Sequence, residues 1–258
     1  MYSKGELRKG LETRTIGRRF FVFETIDSTN ACAKTLGDAG TDEGSVVVAD
    51  FQTEGRGRHG RSWIAEPGAN LLFSVLLRPA TREESAGLLT FFAAAAVAKA
   101  IESTTGLSVE CKWPNDLLLR GKKFCGILLE NSFQLRELAY SVVGVGINVN
   151  QNSFPDELRA NVTSLVHECG SPLDRKELLQ RILLEMDTLY VEAAKGDFRL
   201  VLDEWLQRCR MFGQSVTVEQ HHEQVSGTVV RLNEDGGLVI RTLSETTTVY
   251  AGDVTVVA

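Results

Sequence analysis

Leu88 to Ile101 is apolar on nearly every face it would show as a helix, with only Thr90 and Lys99 as polar interruptions. Such a helix has to be covered by protein on most sides, so the chain must build layers around it. Its longest apolar stretch, Leu88 to Ala98, has too few residues to span a bilayer, and no membrane role is expected. The 258 residues leave room for one large domain or two unequal ones, with a core that needs no staple.

Strand-like segments surround this helix. Phe20 to Phe23, Ser45 to Ala49, Leu71 to Leu77, Val109 to Trp113, Lys123 to Glu130 and Ala139 to Asn148 are rich in β-branched and aromatic residues. Asp27-Ser-Thr-Asn30 offers N-cap residues to a helix near Ala31 to Leu36. Asp174 and Glu177 have capping-box spacing before the amphipathic run Leu179 to Ala193, and another helix is predicted from Phe198 to about Arg210. Beyond Phe212-Gly213 the pattern changes to five short strands separated by turn signals such as Asn233-Glu-Asp-Gly-Gly237. The expectation is an α+β fold, with a mixed-sheet domain over 1–211 and a small β-barrel over 212–258.

Lysine and arginine total 28 against 34 acidic residues, a net charge of −6, which argues against nonspecific nucleic-acid binding as a main role. The N-terminal residues show no apolar targeting run. The five cysteines are widely spaced with no CxxC, the pattern of reduced thiols in a cytoplasmic protein. His221-His222 fits a solvated turn better than a ligand pair.

The chemistry concentrates in three places. Gly55-Arg-Gly-Arg-His-Gly-Arg-Ser-Trp63 formally matches GxGxxG, but Trp63, Pro67 and Gly68 follow where a dinucleotide fold needs a helix. Its three arginines repel one another. The loop is therefore expected to be mobile until an anion orders it, with glycine N–H groups closing around the ligand. Lys112-Trp-Pro-Asn-Asp116 is expected to be a strand end turning outward, presenting Lys, Asn and Asp to an anionic substrate and a metal. Gly144 and Gly146 interrupt an apolar strand, marking either a bulge or the close approach of a ligand or another backbone.

Taken together, Asp27-Ser-Thr-Asn30, Gln52, Gly55 to Arg61, Lys112 to Asp116, Lys123 with Gly126, and Gly144-Val-Gly-Ile-Asn148 resemble the biotin–protein ligases. The match runs from about Thr15 to the chain's end, including Thr163-Ser-Leu165 and a terminal SH3-like barrel. His59 stands where the family often has arginine. The resemblance implies a biotin/lipoate-ligase catalytic domain and two half-reactions. Biotin and ATP form biotinyl-5′-AMP and pyrophosphate, and a lysine of a biotin carboxyl carrier domain then attacks the anhydride. It implies biotin contacts from Ser28, Thr29, Asn30, Gln52, Arg56, Gly57, Arg58, Lys123, Gly126, Gly144 and Gly146. Nucleotide contacts would come from Arg58, Arg61, Trp63, Lys112, Asn115, Lys123 and Asn148. Catalytic roles fall to Lys123, Lys112, Asp116 and Arg58, with Mg2+ expected and Asp116 as its candidate ligand or as a group acting on the incoming amine.

Family members that also repress transcription carry a winged helix-turn-helix of about sixty residues before the ligase, as the resemblance implies. Some twenty-five residues precede Asp27 here, so a ligase without specific DNA binding is expected; a homodimer is left open. Within the same fold a lipoate or octanoate ligase is the alternative. From another class, an RNA- or peptide-binding module on the barrel competes weakly, because the segment after Phe212 has no aromatic–basic cluster.

Overall fold

The structure, a computed structural model, describes residues 2–135, 137–220 and 223–257. In chain order the elements are α1 (Lys4–Arg8), β1 (Phe20–Ile26), α2 (Thr29–Asp38), β2 (Val46–Gln52), β3 (Leu71–Leu77), α3 (Leu89–Thr105), β4 (Glu110–Lys112), β5 (Asp116–Leu119), β6 (Lys122–Gln134) and β7 (Glu137–Ile147). There follow α4 (Leu165–Cys169), α5 (Arg175–Ala193), α6 (Arg199–Leu206), β8 (Ser215–Gln220), β9 (Glu223–Leu232), β10 (Leu238–Arg241), β11 (Thr246–Val249) and β12 (Asp253–Val256). His221 and His222 lie outside the described residues.

The first seven strands form one sheet in the order β1-β2-β3-β7-β6-β5-β4. Only β1 and β2 run parallel, so the sheet is mixed, as expected of an α+β fold. Period-two alternation sorts its residues. Phe73, Val75, Val143, Val145, Ile147 and Ile127 face the layer built around α3 and α5. Val47, Leu76, Tyr140 and Val142 face α2. Ser74, Gly144, Gly146, Gly126, Leu128 and Glu130 share this second face by the same alternation, and the three glycines with Leu128 become the floor of the site.

Helix α3 is buried as its composition demands, with Phe91 against Trp205 and Phe92 against Tyr190. With the 3-10 turn before it, the helical segment runs Glu83–Thr105, longer than the apolar stretch alone and long enough to cross a membrane. Most of it is packed inside the protein. Asp174 caps α5, its Oδ1 accepting from the N–H groups of Lys176 and Glu177. Further along that helix Asp187 accepts three backbone N–H groups, from Arg14, Thr15 and Ile16, at 2.7–2.8 Å, and so ties the N-terminal segment down.

Helix α6 stops at Leu206, short of the expected Arg210, because the chain turns so that the N–H of Cys111 donates to Arg208. The five C-terminal strands form a second sheet, all antiparallel, in the order β11-β10-β9-β8-β12. It docks through the Asn233–Gly237 turn. Trp113 Nε1 donates to Gly236 O at 3.0 Å, and a Cβ on Gly236 would meet the Phe91 ring at 2.9 Å. Trp113 is 2% exposed, and truncating a side chain so buried costs about 3–5 kcal/mol.

Candidate active site

One cavity of about 840 Å3 opens between the two sheets, and every side chain expected from the sequence to bind or catalyse lines it. Its neutral end sits at the start of α2. Ser28 is the N-cap, accepting from Ala31 N–H, so the helix begins at a residue already in the wall. Gln52, at the end of β2, uses its Oε1 twice, accepting from Thr29 N at 2.7 Å and Thr29 Oγ1 at 3.0 Å. That leaves the Gln52 NH2 as the group offered to a ligand. Ser74 Oγ bridges Thr29 Oγ1 at 2.8 Å and Asn30 Oδ1 at 2.6 Å.

The strand glycines have a specific purpose. A Cβ on Gly144 would lie only 2.0 Å from the Asn30 side-chain oxygen, and one on Gly146 would lie 2.6 Å from the Trp63 indole. Gly126, paired with Gly146 across the β6–β7 ladder, would meet the same ring at 2.8 Å. Gly144 and Gly146 pair in regular register, so neither marks a bulge; their close neighbours are side chains rather than a backbone. Trp63 Nε1 is buried without a hydrogen-bond partner, and so is Asn148 Oδ1. Asn148 donates through Nδ2 to Thr163 O, so its oxygen is the end left for a ligand.

The other end is ionic. Arg56, Arg58, Arg61, Lys112 and Lys123 face three carboxylates, Glu110, Asp116 and Asp253, leaving an excess of positive charge that favours an anion. Lys123 Nζ lies 2.6 Å from Asp116 Oδ1 and 5.6 Å from the centre of the Trp63 ring. Its backbone is clamped on both sides, with Lys123 N donating to Asn161 O and Thr163 N to Lys123 O. Burial pulls the Arg58 guanidinium below its ordinary value, opposed by the nearby carboxylates of Asp253 and Asp116.

One expectation needs correction. Lys112 to Asp116 is not a strand end turning outward but a tight hairpin, because Asp116 begins β5 and pairs back onto Lys112. Asn115 at its tip donates to Ile127 O and accepts from Arg58. The arginine loop lies over the cavity with contacts of its own. Arg56 bridges to Ser62, Gly57 N donates to Arg61 O, Arg58 reaches Gly252 O, and Arg61 meets Asp253. Protein groups from the second sheet supply the counter-charge that the loop's own sequence lacks.

Sequence reasoning missed Ser74, Glu130 and Asp253. Ser74, the one polar residue in Leu71 to Leu77, was a visible signal. Glu130 and Asp253 looked like ordinary strand charges.

The Biotin/lipoate A/B protein ligase family model matches residues 22–148, and the Biotin protein ligase C terminal domain model matches 211–257. The chain is 34% identical to the bifunctional ligase/repressor BirA of Bacillus subtilis over 254 residues, covering 98% of this chain and 78% of that protein. It is 34% identical to the biotin–[acetyl-CoA-carboxylase] ligase of Mycobacterium tuberculosis, covering 92% of this chain and 88% of that one. The solved biotin protein ligase from Aquifex aeolicus in complex with biotin and ATP superposes with a TM-score of 0.80 at 29% identity, covering 93% and 98% of the two chains. With a mixed sheet whose glycine-floored face carries the whole expected site, and relatives matched along nearly its full length, this chain belongs to the biotin protein ligase family.

Proposed function

We propose that the protein activates biotin with ATP to biotinyl-5′-AMP and transfers the biotinyl group to a lysine of a biotin carboxyl carrier domain. The observation that carries this reading is a single cavity joining a neutral donor–acceptor array to a cationic cluster. The Gln52 NH2 is a donor suited to a ureido carbonyl, and Asn30 Oδ1 is an acceptor suited to a ureido N–H. Lys123, at the junction, holds the reacting carboxylate and the α-phosphate together, while Arg58 and Lys112 offset their repulsion. Trp63 offers an aromatic face for the adenine. No enzyme nucleophile is required.

Mg2+ commonly binds through one or two carboxylates together with substrate phosphates, and Asp116 is the candidate because its carboxylate lines the cationic end of the cavity, where it pairs with Lys123. Among the described residues no group of three or more His, Cys, Asp or Glu could hold a metal alone, so the nucleotide would complete the site. When bound, Mg2+ supplies charge neutralisation on the phosphates.

Residues 1–211 act as the catalytic unit and 212–258 as a second unit that closes the cavity. Five free cysteines fit a reducing cytoplasm. Specific DNA binding is not part of this reading; a gel shift with biotin-gene promoter DNA at physiological salt should give no discrete complex. The experiment for the main reading is pyrophosphate release from ATP with biotin, lipoate or octanoate. Release should depend on biotin, because an acyl chain leaves several buried polar groups unpaired at about 1–3 kcal/mol each. Equal release with octanoate would overturn it.

A further inference from the structure

We propose that Glu130 is a specificity-determining positioning residue, whose carboxylate fixes which end of the Asn30 amide faces the ligand. The proposal rests on the biotin reading above and deepens it. Asn30 Nδ2 donates to Glu130 Oε2 at 2.8 Å and to Leu128 O at 3.3 Å. Both partners only accept, so both amide hydrogens are consumed and Oδ1 must occupy the opposite end. There Ser74 Oγ, fully buried, meets it at 2.6 Å. A carbonyl oxygen has two lone pairs; Ser74 takes one, and the second is left for an N–H of the ligand. Reversing the amide would press its oxygen against a carboxylate and a carbonyl in a site where Asn30 is only 4% exposed.

Glu130 is itself gripped from one helix. Lys34 lies four residues after Asn30 on α2, hence on the same face, and its Nζ meets the other carboxylate oxygen at 3.2 Å. Glu130 does not line the ligand cavity; it borders a separate cleft on the outer side of the arginine loop. It therefore acts through Asn30 and not by touching the ligand.

Glu130→Gln tests this, because a carboxamide can accept from or donate to Asn30 and so releases the constraint. Affinities are measured for biotin and for the two analogues in which one or the other ureido N–H is replaced by oxygen, alongside KM and kcat for pyrophosphate release. The wild type should prefer biotin over at least one analogue by about tenfold or more. In Glu130→Gln that preference should shrink, with KM for biotin raised more than kcat is lowered. Lys34→Ala, which keeps the carboxylate, should retain the wild-type preference. An unchanged preference in Glu130→Gln overturns the proposal even if the variant is less stable. Should that variant fail to fold, the wild type still decides: biotin bound and activated without preference over either analogue refutes the proposal. Failure of the wild type to activate biotin at all would instead refute the functional reading beneath it.

Discussion

Arg61 reaches across to Asp253, its Nη2 lying 2.6 Å from Oδ1 and 2.8 Å from Oδ2, and so fastens the arginine loop to the first residue of β12. The two side chains are 60% and 47% exposed, so the pair stabilises the closed loop by no more than about 1 kcal/mol. A contact this weak holds the loop over the cavity without locking it, which suits a lid that must admit two substrates and release a product.

Loss of Arg58 should open that lid. Arg58 joins the loop to Asn115 at the hairpin tip and to Gly252 beside β12, so Arg58→Ala removes both links at once. Under single-turnover conditions the variant should release biotinyl-AMP faster than the wild type and label lysines on bystander proteins. Release no faster than wild type would show that the loop does not retain the intermediate.

Lys123→Ala should fail earlier in the reaction. With its ammonium placed between Asp116 and the Trp63 ring, and its backbone clamped by residues 161 and 163, Lys123 is held at the junction where the proposed reaction joins carboxylate to phosphate. Removing one such charge costs about 10²–10³ in rate. Rapid-quench measurement of adenylate formation should show that loss, with adenylate retention unaffected.

Gly146→Ala should act on the nucleotide through Trp63. The new methyl would meet the indole at 2.6 Å, and a rigid ring can escape only by leaving the glycine floor. KM for ATP should rise more than KM for biotin. Equal rises would place Trp63 outside the nucleotide site.

Glu204 gives the protein an acid-sensitive joint. Burial alone would raise its carboxyl above the usual 4.5, but hydrogen bonds from Lys99 and Arg208 outweigh burial and lower it. A lowered folded value means that the Lys99–Glu204–Arg208 cluster contributes stability fully above that pH and loses it as pH falls through the lowered value. In urea titrations from pH 7 down to 3, wild-type stability should decline below the ordinary glutamate range. Glu204→Gln should flatten that decline; an unchanged slope would show that other groups carry it.

Much of this molecule was legible from local pattern. The all-round apolar run of α3 required layers on both sides. The nearly continuous apolar runs in Leu71 to Leu77 and Ala139 to Asn148 marked strands, and Leu71 to Leu77 coincides with β3. The residues of the candidate site were also legible, the arginine loop, the Lys112–Asp116 segment and the strand glycines from their composition and spacing, and Ser28 to Asn30 and Gln52 through the family resemblance. The strand β5 and the short helices α1 and α4 were not, since four or five residues carry too little periodicity to register.

What only the tertiary structure decided is which groups meet. Asp253 meets the charge of Arg61 from 192 residues away and holds the arginine loop over the cavity. Glu130 orients Asn30 from 100 residues away, and the glycines of β6 and β7 make room for the side chains of Asn30 and Trp63. The sequence by itself determined the elements and the inventory of chemical groups, because helix and strand periodicity act over a few neighbours. Hydrogen bonds and ion pairs act over about 3 Å in space, whatever the separation along the chain, and their pairing had to wait for the fold.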